Sequence, residues 1–395
     1  MGVQLFMRDY QTHVFTCTYT ADVSGVCSAM YELGGMSVIH DPSGCNSTYS
    51  THDEPRWFDS DSLMFVSGLD EMAAVFGNDE VVIEDIVAAA ADLKPKFITL
   101  CGGAMPHIIA FDYRGVARLI EEKSGIPVIP VATDGLRSYI SGVGQALTAW
   151  IKRFADPGEK QDSLSVNLLG VTPLDFSVNG NAEALRSCFE DAGISVNCCA
   201  AMGEDFDSLA HIYRGSVNVV VSSAGRRPAR YMERTAGIPR VEGIPMGPAF
   251  TQRCLDAVHE AYRTKKNIFL YPREENEDKW NIPERQILVL GEEIFARTLA
   301  SAINDLPGEK RMNLNAFALW PDVDEGLPEL RLIPAVRSAK MVIADPLYKV
   351  ILPRGNGDTG FVPFPHEAYS GRIYRKMIPV FVGPEFDPEK LLKGK

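Results

Sequence analysis

Short apolar runs of strand length alternate with longer helical stretches along most of the chain. The alanine-rich run at residues 81–93 predicts a helix, and the apolar run at 96–100 predicts a buried strand after it. A second helix near residues 116–123 and a second strand at 126–131 repeat this order. Buried strands that alternate with helices are typical of parallel α/β units.

The same alternation restarts twice, which predicts three α/β units in series. A polar stretch at residues 155–162 precedes the first restart, and the basic stretch 263–266 precedes the second. We therefore predict an N-terminal domain at residues 1–157, a middle domain at 158–265 and a C-terminal domain at 266–395. Further strands are predicted at residues 165–170, 194–198, 217–221, 267–271, 286–290, 315–319 and 341–344, and further helices at 182–192, 206–213 and 251–262.

Charge and hydropathy exclude several classes of protein. The formal net charge of −13 repels phosphate backbones, so we expect no nucleic-acid partner. No run of 18 apolar residues is present, so we expect no transmembrane helix. The first residues are too short and too polar for an export signal, which predicts a cytoplasmic protein with reduced cysteines.

Four of the eight cysteines lie in the first 101 residues and carry the candidate chemistry. Cys45 closes the Gly/Pro-containing turn at residues 40–45, and Cys101 ends a predicted strand before two glycines. Side chains at strand ends project toward one edge of a parallel sheet, where α/β folds place their sites. Iron–sulfur ligation and buried structural thiols both fit this pattern. Zinc fits less well, because no short-spaced cysteine pair is present here.

The motif GNGDTG at residues 355–360 matches a dinucleotide fingerprint in its glycines alone. A helix should follow such a motif, so that its N-terminus meets the pyrophosphate. Pro363 and Pro365 prevent a helix there, so the sequence predicts a loop. No P-loop motif is present in the chain, which argues against nucleotide hydrolysis through a P-loop.

Several stretches, taken in order, resemble nitrogenase component 1 proteins. The segment from Cys17 to the turn HDPSGC, which ends in Cys45, is similar to the first cluster-binding stretch of that family. EMAAVFG at residues 71–77, and KPKFI at 94–98 leading into Cys101, resemble the motifs that follow. Similar patterns continue as IIAFD at 108–112, ME, GIP and MGP across 232–248, ADP at 344–346 and PHEAYSG at 365–371.

The resemblance implies a fold of three Rossmann-like subdomains with parallel sheets. It also implies that two subunits pair and that each contributes cysteines to an iron–sulfur cluster, [4Fe–4S] or larger, at their interface. Carried over to this chain, the ligands are Cys17, Cys45 and Cys101, and Cys27 is an additional candidate. Three thiolates leave a four-ligand cluster incomplete, so a second chain or a non-thiol ligand would complete it.

In nitrogenases a second metallocofactor is held by a cysteine of the middle subdomain and a histidine near the C-terminus. The aligned stretch at residues 219–226 has serine in place of that cysteine, which argues against a second metallocofactor of this type. His366 matches the histidine and is our candidate catalytic residue, as a ligand or a proton donor; a backbone-bonded loop histidine is the alternative. Arg226 is a candidate for binding an anionic group, and a solvated surface arginine is the alternative.

The resemblance implies an oxidoreductase that receives electrons from an ATP-dependent iron–sulfur reductase. A cluster would pass them to a small-molecule substrate or metallocofactor in the cleft between subdomains. A tetrapyrrole, or another unsaturated or sulfur-containing molecule, fits better than dinitrogen. The partner would be an identical chain in a dimer or a homologous sister subunit in a heterotetramer. The alternatives are a scaffold for metallocluster assembly, with no turnover of its own, and an α/β binding protein without metal.

Overall fold

Three separate parallel sheets organise the chain, which confirms the predicted α/β fold with three Rossmann-like subdomains. The computed structural model describes residues 20–46, 54–77, 79–158, 161–272, 282–320, 329–353 and 359–393, with only the backbone of 45, 46 and 331. We call the part of the chain built on each sheet the first lobe (20–158), the second lobe (161–272) and the third lobe (282–393). Among the described helices, none combines the length and hydropathy that crossing a membrane requires.

The first lobe holds a four-stranded sheet in the order β2-β1-β3-β4. Its strands are β1 (Met36–His40), β2 (Leu63–Val66), β3 (Ile98–Gly102) and β4 (Val128–Pro130). Its helices are α1 (Asp22–Met30), α2 (Ser43–Asn46), α3 (Glu71–Phe76), α4 (Asp79–Leu93), α5 (Ala104–Ile108), α6 (Tyr113–Ser124) and α7 (Tyr139–Phe154). α1 and α7 cover one face of the sheet, and α4 and α6 cover the other.

The second lobe holds a five-stranded sheet in the order β6-β5-β7-β8-β9. Its strands are β5 (Ser165–Leu169), β6 (Ser195–Cys199), β7 (Val217–Val220), β8 (Arg240–Glu242) and β9 (Ile268–Phe269). Its helices are α8 (Pro173–Phe176), α9 (Asn181–Glu190), α10 (Phe206–Ala210), α11 (Arg226–Ala236) and α12 (Gly247–Thr264), with 3₁₀ turns at Ile212–Arg214 and Ser223–Gly225.

The third lobe holds a four-stranded sheet in the order β11-β10-β12-β13. Its strands are β10 (Ile287–Leu290), β11 (Ala316–Leu319), β12 (Met341–Ala344) and β13 (Gly360–Pro363). Its helices are α13 (Glu293–Asn304), α14 (Leu332–Ser338), α15 (Glu367–Tyr374) and α16 (Pro388–Leu392), with 3₁₀ turns at Gly308–Arg311, Glu329–Arg331, Pro346–Ile351 and Arg375–Met377.

Two sequence predictions about strands need correction. The sequence predicts that the run at residues 267–271 opens the third unit, but β9 pairs with β8 and completes the second sheet. It predicts a loop at the end of the glycine motif, but residues 360–363 form β13, which pairs with β12 at the edge of its sheet. A strand rather than a helix therefore follows the glycines directly, which agrees with excluding a dinucleotide site. The limits predicted for the three domains stay predictions.

Local chemistry explains where α6 begins and ends. The Asp112 carboxylate accepts hydrogen bonds from the backbone N–H groups of Arg114 and Gly115 and so caps α6. Gly125 ends this helix in the left-handed conformation that glycine adopts without steric cost. The bounds of α6 contain the predicted helix at 116–123, which is confirmed.

The three lobes share one apolar core. The largest apolar cluster runs from α1 and α7 of the first lobe through the second sheet to α13 of the third lobe. Arg56 also ties the first lobe to the second, since its buried guanidinium donates to the Ser28 and Ala201 carbonyl oxygens. The lobes are therefore packed together.

Candidate functional site

The carboxyl ends of the first sheet form the edge at which the sequence places its candidate cysteines. β1 ends at His40, and α2, which contains Cys45, begins shortly afterwards. β3 ends at Gly102, directly after Cys101, which lies beside Ile39 of β1 in parallel register. Cys45 therefore follows β1, and Cys101 lies near the end of the neighbouring strand β3. We call this region the first-sheet edge: residues 40–46, 66–77, 102–108 and 130–137.

Cys101 is fully buried in the same apolar cluster as Cys27 of α1. Their exposed fractions are 0% for Cys101 and 1% for Cys27, so water reaches neither thiol. Hydrogen bonding to Cys27, together with burial, raises the pKa of Cys101 well above its ordinary value. Both residues are candidates from the sequence, which contains no signal that would place them in contact.

Ligation of a cluster stays a prediction for all four cysteines. Cys17 lies outside the described residues, and the side chain of Cys45 does too. Within the described ranges, no group of three or more His, Cys, Asp or Glu side chains is arranged to hold a metal ion.

Two glycines and a buried tyrosine hydroxyl define the packing at the end of β3. Gly102 and Gly103 follow Cys101 directly, so no side chain extends from the backbone there. The Tyr113 hydroxyl lies against Gly102 and is buried without a hydrogen-bond partner among the described residues. A buried hydroxyl without a hydrogen-bond partner costs about 1–3 kcal/mol.

His40, at the end of β1, is a neutral residue that supports this edge. Its ring lies against the Phe111 ring, with the centroids 4.1 Å apart, and its Nδ1 lies 2.9 Å from the Ser67 Oγ. Burial lowers the pKa of His40 to about 4, so the imidazole carries no charge at neutral pH. The side chain therefore links β1 to the end of β2 and to the loop before α6 without adding charge.

A buried carboxyl group begins α1, and the sequence analysis missed it. Asp22 accepts hydrogen bonds from the backbone N–H groups of Asp134 and Gly135, at 3.0 Å and 2.9 Å. Burial, together with the neighbouring Asp134 carboxylate, raises the pKa of Asp22 to about 7. An aspartate at a helix start looks like an ordinary first-turn residue in the sequence, so only the fold reveals its burial.

A second polar cluster lies where the three lobes meet, and Asp175 is at its centre. Its Oδ1 accepts a hydrogen bond from the Tyr139 hydroxyl at 2.5 Å. Its Oδ2 accepts from the Ser222 hydroxyl at 2.9 Å and from the Thr172 hydroxyl at 3.0 Å. His366 approaches the same carboxylate, with its Nε2 3.5 Å from Oδ1. We call these five residues the central junction.

His366 is held in one orientation by the helix that it caps. Its Nδ1 accepts a hydrogen bond from the Ala368 backbone N–H at 3.2 Å, so this nitrogen is unprotonated. The remaining proton of the neutral ring is therefore on Nε2 and faces Asp175. The His366 backbone N–H in turn donates to Asp345 at 2.9 Å. Nδ1 of His366 is therefore bonded to the backbone, as the alternative interpretation expects, whereas Nε2 faces the Asp175 carboxylate.

A further carboxylate, Glu292, borders the central junction and is largely satisfied by helix starts. It accepts from the Ser223 backbone N–H at 3.0 Å and from the Phe295 N–H at 3.0 Å, which joins the second and third lobes. Burial and the neighbouring Asp175 raise the pKa of Glu292. A cavity of about 10 Å³, beside His366 and Asp345, has room for about one water molecule.

Arg226 is already engaged by acidic partners. Its Nε lies 2.9 Å from a Glu242 carboxylate oxygen, and its guanidinium also pairs with Glu293 of the third lobe. The Tyr271 hydroxyl donates to the same Glu242 oxygen at 2.6 Å. Arg226 therefore bridges two lobes, and its guanidinium is paired with carboxylates of both.

The chain matches the family model described as "Nitrogenase component 1 type Oxidoreductase" over residues 24–289. It is 34% identical over 250 residues to the B subunit of light-independent protochlorophyllide reductase from Chlorobium luteolum, an alignment that covers 61% of this chain and 46% of that protein. It is 24% identical over 241 residues to "Nitrogenase iron-molybdenum cofactor biosynthesis protein NifE" of Methanococcus maripaludis, which covers 58% of this chain and 49% of that protein.

Solved structures extend the similarity to the whole fold. The structure titled "Nitrogenase Cp1 at pH 6.5" superposes with a TM-score of 0.61 over 95% of this chain and 96% of that chain, at 13% identity. At that identity the superposition supports the fold alone. The chain spans about half the length of the curated relatives it matches. The family match covers most of the first and second lobes, and the chain therefore belongs to the nitrogenase component 1 type oxidoreductase family.

Proposed function

We propose that this protein is the substrate-reducing component of a nitrogenase-like oxidoreductase. In this proposal Cys17, Cys45 and Cys101 would hold an iron–sulfur cluster, which would supply the single electrons for reducing a small molecule bound near His366. The similarity to a protochlorophyllide reductase supports a reduction, and the family match supports the iron–sulfur chemistry.

One structural observation carries the proposal: the segment that enters α1 is bonded to the helix that His366 caps. The Thr20 hydroxyl donates to the Ala368 carbonyl oxygen at 2.6 Å, and the Tyr139 N–H donates to the Thr20 carbonyl oxygen at 3.1 Å. Thr20 follows Cys17 by only three positions in the sequence. A cluster held by Cys17 would therefore lie near the central junction.

The proton chemistry of the proposal belongs to the central junction. Reduction of an unsaturated molecule takes up protons as well as electrons, and the Nε2–H of His366 is oriented by its backbone contacts. Oδ1 of Asp175 lies 3.5 Å from Nε2 of His366 and accepts a hydrogen bond from the Tyr139 hydroxyl. We assign His366 as the proton donor and Asp175 as the residue that positions it.

The charges near the junction restrict the substrate class. Asp175, Glu292 and Asp345 are at most 8% exposed, and Arg226 is paired with two other carboxylates. Buried carboxyl groups would therefore disfavour a polyanionic substrate, and the Arg226 guanidinium is already paired with carboxylates of its own chain. We infer that the substrate is neutral or cationic, and that the lobes must open to admit it, because the cavity holds about one water molecule.

An exposed apolar surface supports pairing with a second subunit. Five strongly exposed apolar side chains follow β2, β3 and β4 at the first-sheet edge, and we call them the apolar rim: Met72, Val75, Phe76, Ile108 and Leu136. Clustered exposed apolar side chains mark interaction surfaces. A second subunit there, identical or homologous, would bring its own cysteines to the edge and complete the cluster. An ATP-dependent iron–sulfur reductase would then deliver the electrons.

Anaerobic purification, iron quantification and EPR spectroscopy test the cluster. Cys45→Ala should lose iron and its EPR signal, because it removes a ligand. Cys254→Ala, a matched control at a fully buried cysteine in α12 of the second lobe, should retain both. An iron-free wild-type protein, or equal iron in the two variants, would contradict the proposal.

The similarity to a cofactor biosynthesis protein favours one second candidate, a scaffold on which a metallocluster is assembled and released. The two candidates differ in what they need. The reductase should consume substrate only with a reductase partner and ATP, whereas the scaffold should transfer its cluster to an acceptor protein without either. Cluster transfer without turnover would favour the scaffold.

A further inference from the structure

A cavity of about 180 Å³ lies between the edge strand β2 and helix α4 of the first lobe. Val38 of β1 and Phe65 of β2 line it on the side of the sheet, and Ile86 and Ala89 line it on the side of α4. An apolar cavity of about 150 Å³ is large enough to bind benzene, so this one has room for a phenyl ring or a branched aliphatic group. The chemistry proposed for the central junction makes no use of it.

The pattern of side chains on α4 explains why this space is unfilled. Val82, Ile86 and Ala89 recur at helical spacing and all line the cavity, so α4 turns one face toward β2. Val82 and Ile86 pack in the apolar core of the first lobe, whereas Ala89 has only a methyl group. Phe65 is exposed on the edge strand, so the cavity is open to solvent there.

The cavity has a negatively charged border. Asp85 lines it and is exposed, and Asp79, Glu80 and Glu84 are exposed on the same helix. In the part of the chain that the structure describes, no Lys, Arg or His side chain forms an ion pair with Asp85. Charge complementarity therefore favours an apolar group that lies beside a positive charge, and it disfavours an anion.

The two elements that border the cavity also flank the helix of the apolar rim. α3, which carries three residues of the rim, connects β2 to α4 in the chain. Phe65 of β2 and Val81 of α4 are 41% and 49% exposed and extend the apolar surface beyond α3. A second subunit that covers the rim would therefore also reach the cavity.

We propose that the cavity receives an apolar side chain of the second subunit, about the size of phenylalanine or leucine, and that a lysine or arginine beside it pairs with Asp85. Apolar anchors that fill pockets supply much of the binding energy of protein interfaces, and charge pairs add specificity. The inference rests on the proposed function, because it requires pairing at the rim. It assigns the cavity to assembly and gives it no part in electron transfer.

Small fragments that mimic this anchor test the cavity in the full chain. Benzylammonium, followed by ligand-observed NMR, should bind about two- to fivefold more tightly than benzoate, because only the cation can pair with Asp85. Asp85→Asn should remove this preference, whereas Glu84→Gln, at an exposed acid of α4 that does not line the cavity, should keep it. Ala89→Leu fills the cavity and should abolish binding of benzylammonium, and Ala88→Leu, at its exposed neighbour, should not.

Sedimentation velocity then identifies the occupant. The variants are expressed at the native locus, so that an identical or a homologous second subunit is present. Ala89→Leu should shift the assembly toward single chains, because the anchor can no longer enter, while Ala88→Leu should sediment like the wild type. Asp85→Asn changes an exposed side chain, so the chain should stay folded and the assembly should weaken about two- to fivefold.

Three results would overturn the inference. The first is a wild type that does not bind benzylammonium. The second is an Ala89→Leu variant that loses the fragment but assembles like the wild type, which would assign the cavity to a free small molecule. The third is a wild type that sediments as a single chain, which would overturn the pairing in the proposed function as well. An assembled but iron-free wild type would overturn the proposed cluster and leave this inference standing.

Discussion

Two buried titratable residues of the first lobe respond to pH in opposite ways. The pKa of Asp22 is raised from 3.8 to about 7 by burial, so the folded state holds a proton that the unfolded state releases. The pKa of His40 is lowered from 6.5 to about 4 by burial, so the folded state lacks a proton that the unfolded state binds. As pH rises from about 4 to about 6.5, Asp22 lowers the free energy of unfolding and His40 raises it. The two contributions nearly cancel in the wild type.

Single substitutions should reveal each contribution. Relative to the wild type, Asp22→Asn should gain about 3 kcal/mol in unfolding free energy as pH rises from about 4 to about 6.5. His40→Gln should lose about the same amount over this interval, because the opposing Asp22 contribution remains. Urea unfolding of iron-free protein across this pH range measures both differences. Curves parallel to that of the wild type would show that neither residue titrates as the structure indicates.

At the scale of residues, the sequence locates the candidate chemistry but not its contacts. It singles out His366 from its surroundings in the chain, but the hydrogen bond to Nδ1 and the approach to Asp175 depend on three lobes meeting. It makes Arg226 a candidate for binding an anion because this residue follows a predicted strand. It does not reveal the ion pair with Glu293, which is distant in the sequence. Long-range ion pairs leave no local pattern, so these roles could not be predicted.

At the scale of elements, two glycines allow the backbones of α1 and α7 to approach each other closely. A Cβ atom on Gly142 of α7 would lie 1.8 Å from the Asp22 carbonyl oxygen. One on Gly25 of α1 would lie 2.1 Å from the Tyr139 carbonyl oxygen. The two helix backbones therefore touch, which fixes both Cys27 and the start of α7 at Tyr139. The helix pair thus connects the first-sheet edge to the central junction.

Gly142→Ala should destabilise the protein by about 2 kcal/mol. Overpacking against a backbone costs about 1–3 kcal/mol, and the better helix propensity of alanine returns at most about 1 kcal/mol. Gly360→Ala is the control, because its Cβ would meet its nearest neighbour at 3.7 Å, an ordinary contact. Chemical denaturation compares the two variants, and equal stabilities would show that α1 and α7 can separate without cost.

Predictions of single elements succeed where burial and helical patterning agree. The helices at 81–93 and 116–123 and the strand at 96–100 match the structure because their patterns are local. The sheet to which residues 268–269 belong is predicted wrongly, since an apolar run contains no information about which neighbour it pairs with. Residues of the first cluster motif, Cys17 among them, lie outside the described ranges, so their arrangement stays a prediction.

At the scale of the whole molecule, the apolar rim and the first-sheet edge coincide. α3, which carries three residues of the rim, has no buried residue although it is helical and well capped by Asp70. A short helix with no buried face gains little from its own chain, because helices are stabilised mainly by tertiary packing. A partner subunit that covers α3 would supply this packing.

Charge placed on the rim should therefore separate the subunits without unfolding them. Val75→Asp and Phe76→Asp change side chains that are 75% and 74% exposed, so the fold of each chain should persist. Burying either carboxylate in an apolar interface is costly, and we expect dissociation of the assembly, measured by sedimentation velocity. Ile373→Asp, at a residue 70% exposed in the third lobe, is the control and should leave the assembly intact. If the two rim variants sediment like the control, the rim does not hold the subunits together, and the cluster would need all its ligands from one chain.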